Sequence, residues 1–268
     1  MMAARRIISL AALSAIAVVA APSAGAQTRT VTSVIGSADG LFVSVDVEFV
    51  APEEVAAQEL LTFGPEPSVT LPSTGGSVSD EVLDVDESVG PISLTAAVLT
   101  AATEGALGPD GFATAETTVA DLALGEPPVE EVGVQQLTDP ILAAELISAT
   151  CAADLAGVSG TTTLVGASVL GETLAVEPEP NTEIEVEVPG VATVGVTLNR
   201  QVQNPDGSLS VTALVLDIAV NVVDALSVTG TVEIGPATCG VVEGVEVPAE
   251  VVVPAPAQAV PAQARFTG

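Results

Sequence analysis

Apolar residues recur at every second position through long stretches of this chain. Leu41, Val43, Val45, Val47 and Phe49 alternate with Phe42, Ser44, Asp46 and Glu48, which predicts a strand with one buried and one wet face. Thr182–Val188 repeats the pattern, with Ile184, Val186 and Val188 on one side and Glu183, Glu185 and Glu187 on the other. A row of like charges protects a sheet edge from pairing with another copy, so this segment is expected at an edge. Thr193 to Val202 and Ser208 to Ile218 read as a hairpin around Asn204-Pro205-Asp206-Gly207, where proline presets φ and glycine accepts a positive one. Asp39-Gly40 and Pro109-Asp110-Gly111 carry the same turn chemistry.

Turn signals between short β-branched runs predict an all-β fold, an antiparallel β-sandwich rather than a βαβ arrangement. Helix is expected to be scarce. The two candidates for a turn or two of helix are Pro52 to Leu61 and Asp139 to Ile147, the second with an N-cap aspartate and Pro140 at the first helical position. Thr114–Glu126 and Thr161–Glu172 echo each other at an offset of 46 residues, sharing Thr117/Thr163, Val119/Val165 and a Leu-Gly-Glu ending. The echo is too short to divide the chain into two domains.

The ends differ in composition from the middle. Arg5 and Arg6, an apolar run from Ile7 to Ala21 and the small residues Ala24-Gly25-Ala26 are arranged as a secretory signal peptide over residues 1–26. From residue 247 the chain turns to valine, alanine and proline, with Pro248, Pro254, Pro256 and Pro261, as expected of an extended, flexible tail over residues 247–268. Between them, residues 27–246 are expected to form one β ectodomain. No second apolar stretch approaches the length of a membrane span, so the processed protein is expected to have none.

Removing the leader leaves three arginines against 35 acidic residues, a net charge of −32. A surface of that sign repels phosphate backbones and anionic lipid, which excludes nucleic acid as a partner. Lysine, histidine, tryptophan and tyrosine are absent. Without histidine there is no Ser-His-Asp or Cys-His nucleophile and no imidazole metal site, and without lysine no Schiff base. Paired carboxylates leave room for a hydrolase as a third reading, although the aromatic platforms that hold sugar rings would have to come from five phenylalanines.

Calcium is the better cation hypothesis, since it takes six to eight oxygens. Its densest candidate site is the run Asp80-Glu81-Val82-Leu83-Asp84-Val85-Asp86-Glu87, with Asp80, Asp84, Asp86 and Glu87 as ligands, though the run lacks EF-hand spacing. No other cofactor is implied. Cys151 and Cys239 are an even pair in a chain expected in an oxidising compartment, and read as one structural disulfide. Leu71-Pro72-Ser73-Thr74-Gly75 matches the sortase pattern but lies in the N-terminal third, so it reads as a turn between strands.

The order of phrases resembles a known family. ELLTFGPEPSVTLPSTGG, ISLTAAVLTAATEG, ISATCAAD, TTTLVGASVLGE, PNTEIEVEVPG, VTLNRQ, SLSVTALVLDI and GTVEIGPATCG succeed one another from about Gly36 to Gly240 much as in the choice-of-anchor P family of actinobacterial exported proteins. The two cysteines fall where that family places its pair, and Asn199 and Gln201 sit in its asparagine-x-glutamine strand. The resemblance implies a secreted or cell-surface protein, with no established activity and no catalytic residue. The expectation is a non-catalytic structural or interaction protein acting on an extracellular or cell-envelope partner, with a calcium-dependent binding module as the alternative.

Overall fold

The computed structural model describes residues 28–49, 57–89, 92–125, 139–189, 192–222 and 226–246. The expected signal peptide and tail lie outside the described residues. Within them every regular element is a strand. They run β1 (Thr28–Phe49), β2 (Ala57–Thr70), β3 (Gly76–Val89), β4 (Ile92–Ala106), β5 (Phe112–Leu124) and β6 (Leu142–Asp154), then β7 (Gly157–Val165), β8 (Ser168–Val169), β9 (Glu172–Thr173), β10 (Thr182–Val188), β11 (Ala192–Gln203), β12 (Leu209–Val222) and β13 (Leu226–Glu246). Two antiparallel sheets pack face to face, as expected of a sandwich.

Sheet A has six strands in the order β10-β11-β12-β13-β1-β2. Sheet B has seven, ordered β3-β4-β5-β6-β8-β9, with β7 also pairing β6. The glutamate-bearing segment is β10 and does occupy a sheet edge, and the predicted hairpin is β11–β12. The chain crosses from sheet A to sheet B through Leu71–Gly75, a turn as expected: the Gly75 N–H donates to the Pro72 carbonyl at 2.8 Å with Gly75 at φ 82°. Leu71 itself is buried. Thr28 pairs with Glu246, so both ends of the described body leave from one pole of the sandwich.

Three expectations are corrected. Residues 57–61 are strand, with Leu61 paired to Val45 and buried, whereas 52–56 lie outside the described residues. Asp139-Pro140 opens no helix: from Leu142 the chain is β6, its alanine-rich helical propensity overridden by pairing on both sides, with β5 and with β7 and β8. Asp39-Gly40 is not a turn but lies inside β1. A Cβ on Gly40 would sit 2.5 Å from the Glu66 carbonyl oxygen, so glycine serves a close approach of β2 there.

The echoing segments are not equivalent in space. Thr117 and Val119 point into the core, while their counterparts Thr163 and Val165 are only half-buried and Thr162 and Leu164 take the inward positions.

The alternation that predicts the strands slips by one residue midway along most of the longer ones. Buried positions run Ala96 then Leu99 on β4, Val119 then Leu122 on β5, and Ala144 then Ile147 on β6. On sheet A they run Ala38 then Leu41 on β1 and Ile234 then Ala237 on β13. Residues with left-handed backbone mark the step: Asp84 at φ 54° and Asp121 at 51° in sheet B, Asn199 at 49° and Gly235 at 66° in sheet A. The ladders put each set on one transverse line, because Asp84 falls between the Leu83–Val98 and Val85–Ala96 pairs and Asp121 between Ala120–Leu146 and Leu122–Ala144. Each sheet is therefore creased across these neighbouring strands. Bulges of this kind bend a strand and sharpen its twist. The bend lets strands of up to 22 residues, roughly 70 Å if straight, stay wrapped on a common core. The Gly235 step of sheet A lies against Thr117 and Ala149 of sheet B, several residues along from the sheet B crease, since a side chain on Gly235 would meet the Thr117 hydroxyl at 2.7 Å.

Candidate functional site

Asp80, Asp84, Asp86 and Glu87 all lie exposed on β3, an edge strand whose only ladder partner among the described residues is β4. An extended strand spreads them over roughly 20 Å instead of closing them round an ion. Among the described residues no three acidic or cysteine side chains are grouped to hold a metal. The Asp80 carboxylate accepts the Glu81 N–H at 2.9 Å, and Asp84 marks the crease of sheet B.

Cys151 on β6 and Cys239 on β13 are disulfide-bonded, with Cα atoms 5.6 Å apart and neither residue exposed. The bond joins the two sheets through the buried core, and its position follows from the expected pairing.

A second link between the sheets is polar, and the residue types alone did not reveal it. Asn199 on β11 is 4% exposed, and its left-handed backbone is one that asparagine tolerates. Its Nδ2 donates to the Pro178 carbonyl at 2.9 Å, while its Oδ1 accepts from Gln201 Nε2, also at 2.9 Å. The same Gln201 nitrogen donates to the Gly160 carbonyl of β7, in sheet B, at 2.9 Å. Asn181 completes the clasp, accepting the Gln201 N–H at 2.8 Å and donating its own N–H to the Asn199 carbonyl at 2.9 Å. Gln201→Leu keeps the volume but removes the donor to both Gly160 and Asn199. It should lower the unfolding free energy by about 1–3 kcal/mol in a urea titration.

Beside this clasp the two sheets leave a gap. β9 of sheet B with the Leu174–Ala175 segment that follows it, and β10 of sheet A, border a cleft of about 480 Å³. Leu174, Ile184, Val186 and Leu198 make its apolar lining, and Glu172, Glu185 and Glu187 stand exposed around it. The opposite seam, between β2 and β3, is bridged by the Leu71–Gly75 turn, with the Leu71 side chain against Gly36 and Gly105.

Positive charge on the described body is already engaged. Arg29 forms a two-pronged ion pair with Glu243, and Arg200 reaches Glu233 at 3.3 Å. The Arg29 guanidinium holds the Glu243 carboxyl below its ordinary value, chiefly through the hydrogen bond, and is itself raised by the same bond. Asp206, in the β11–β12 turn, is held low by the Ser208 hydroxyl and N–H that donate to it. Nothing cationic in the described body is left to neutralise the glutamates of the cleft.

A comparison of the chain with protein-family models, curated proteins and solved structures returns no match in any of the three.

Proposed function

We infer that the chain is an exported, non-catalytic interaction module of the cell surface or its surroundings, as the choice-of-anchor P resemblance implies. The observation that carries this reading is the buried disulfide between Cys151 and Cys239. A cystine that staples the core of a sandwich belongs to an oxidising compartment, and cytosolic reductants would keep such a pair as thiols. The shared pole of the two ends of the described body, Thr28 and Glu246, supports it further. A body tethered by either end presents the same opposite pole to its surroundings, which suits a display role.

Fractionating the producing cells with and without wall digestion tests the reading. The protein should appear in the medium or the wall digest, lacking residues 1–26 and without free thiols. Recovery from the cytoplasm with both cysteines reduced would overturn it.

A further inference from the structure

The cleft beside β10 is built unlike the other edges of the sandwich. The regular edge strand β7 of sheet B is partly covered, its Leu164 N–H donating to the Val176 carbonyl and its Gly160 carbonyl accepting from Gln201. The other edge of sheet A, β2, carries Pro65 and Pro67, and proline cannot donate to a ladder. At the far edge of sheet B, β3 is bent by the left-handed Asp84. β10 has neither device: it is a regular seven-residue strand, paired on one side to β11 without a register break. Its protection is the exposed row Glu183, Glu185 and Glu187. That row is selective. It repels an identical edge, so a second copy of this chain is a poor occupant, but it attracts a strand that carries positive charge at the facing positions. Directly beside this edge, which pairs with no other described residue, lies the apolar lining of Leu174, Ile184, Val186 and Leu198. Apolar residues of such a strand can bury there while its basic residues meet the glutamates.

We propose that β10 and the cleft form a docking groove for an extended peptide segment of a protein partner, one that alternates apolar with lysine or arginine residues and adds to sheet A as a further strand. The recognition divides in the usual way for strand addition: backbone hydrogen bonds to β10 supply binding, and the pockets and charges beside it supply selection. The summed negative field of the body would steer a cationic segment toward it, and weakens with salt. This names a partner class for the interaction role inferred above. The test uses purified full chain, so its result is independent of where the protein resides.

The probe is a seven-residue peptide alternating valine and lysine, titrated by calorimetry, with hydrogen exchange followed at the β10 amides. Binding should slow exchange along β10, and replacing lysine by glutamate in the peptide should abolish it. The Glu185→Lys, Glu187→Lys variant should bind at least about tenfold more weakly, whereas Glu81→Lys, on β3, should stay within about twofold. In an extended strand the valine N–H groups point to one edge and the lysine N–H groups to the other. Methylating one set should therefore abolish binding and methylating the other should spare it. Equal weakening in both protein variants would reduce the effect to general attraction by a polyanion and overturn the proposal. Indifference to both methylations would exclude strand addition. Full protection of the β10 amides before any peptide is added would mean that the chain's own tail or a second copy already fills the groove, and would overturn it as well.

Discussion

Replacing Cys151 and Cys239 together with alanine is expected to lower the melting temperature by roughly 10–20 °C. The pair closes a loop of 88 residues. Opening it frees the unfolded chain and removes about 4–5 kcal/mol of stability on the loop-entropy account. For a body of this size each kcal/mol corresponds to about 2–4 °C. The single variants should fall nearly as far as the double, because either one breaks the bond. Calorimetry with and without reductant checks the assignment: reductant should move the native protein toward the variant and leave the variant where it is. A variant that melts with the native protein would show that the cystine adds nothing to the packing around it.

Period-two alternation made the sandwich legible, because a strand half-buried in an antiparallel sheet must alternate to keep one face dry. The row of like charges placed β10 at an edge, and the Pro-Asp-Gly turn placed the β11–β12 hairpin. The creases escaped the alternation. The step from Val119 to Leu122 is written in the residues, but alanine and threonine occupy both faces, Ala113 buried and Ala120 half-buried, so the phase on either side is hard to assign. The helix expected after Asp139 failed for a related reason, since alanine-rich segments suit either state and pairing decided between them. The site was less legible still. Gln201 meets Gly160 across 41 residues, and the cleft exists because two particular sheet edges were left side by side. Neither follows from local pattern.

Deleting Asp121 is expected to be among the most damaging single changes on the surface, although its side chain is exposed. The residue holds φ at 51° and absorbs the phase step between Val119 and Leu122. Without it Leu122 follows Ala120 and stays in phase along β5, but β4 and β6 keep their own steps. One-for-one pairing then sets Leu122 and Leu124, now 2% and 1% exposed, opposite the outward Glu145 and Ala143, and holding that register turns them toward water. At about 1.5–3 kcal/mol for each leucine the loss is roughly 3–6 kcal/mol. Asp121→Gly should instead be neutral or slightly stabilising, because glycine adopts positive φ without steric strain. Urea titration of both variants at unchanged slope separates the step itself from the side chain. A deletion variant as stable as the native protein would show that the crease is not specified at this position.

The pairing of Thr28 with Glu246 also sets how the body bears force. β1 and β13 run antiparallel from that pair down to Phe49 and Leu226, forming the longest ladder of sheet A. A load applied between Thr28 and Glu246, the two ends of the described body, opens this ladder like a zipper, with each pair taking the whole pull in turn. A load between one chain end and a ligand held on β10 runs instead along the strands, and the pairs resist together in shear. The module is thus mechanically weak as a spacer strung between two anchors and strong as a pendant attached at one.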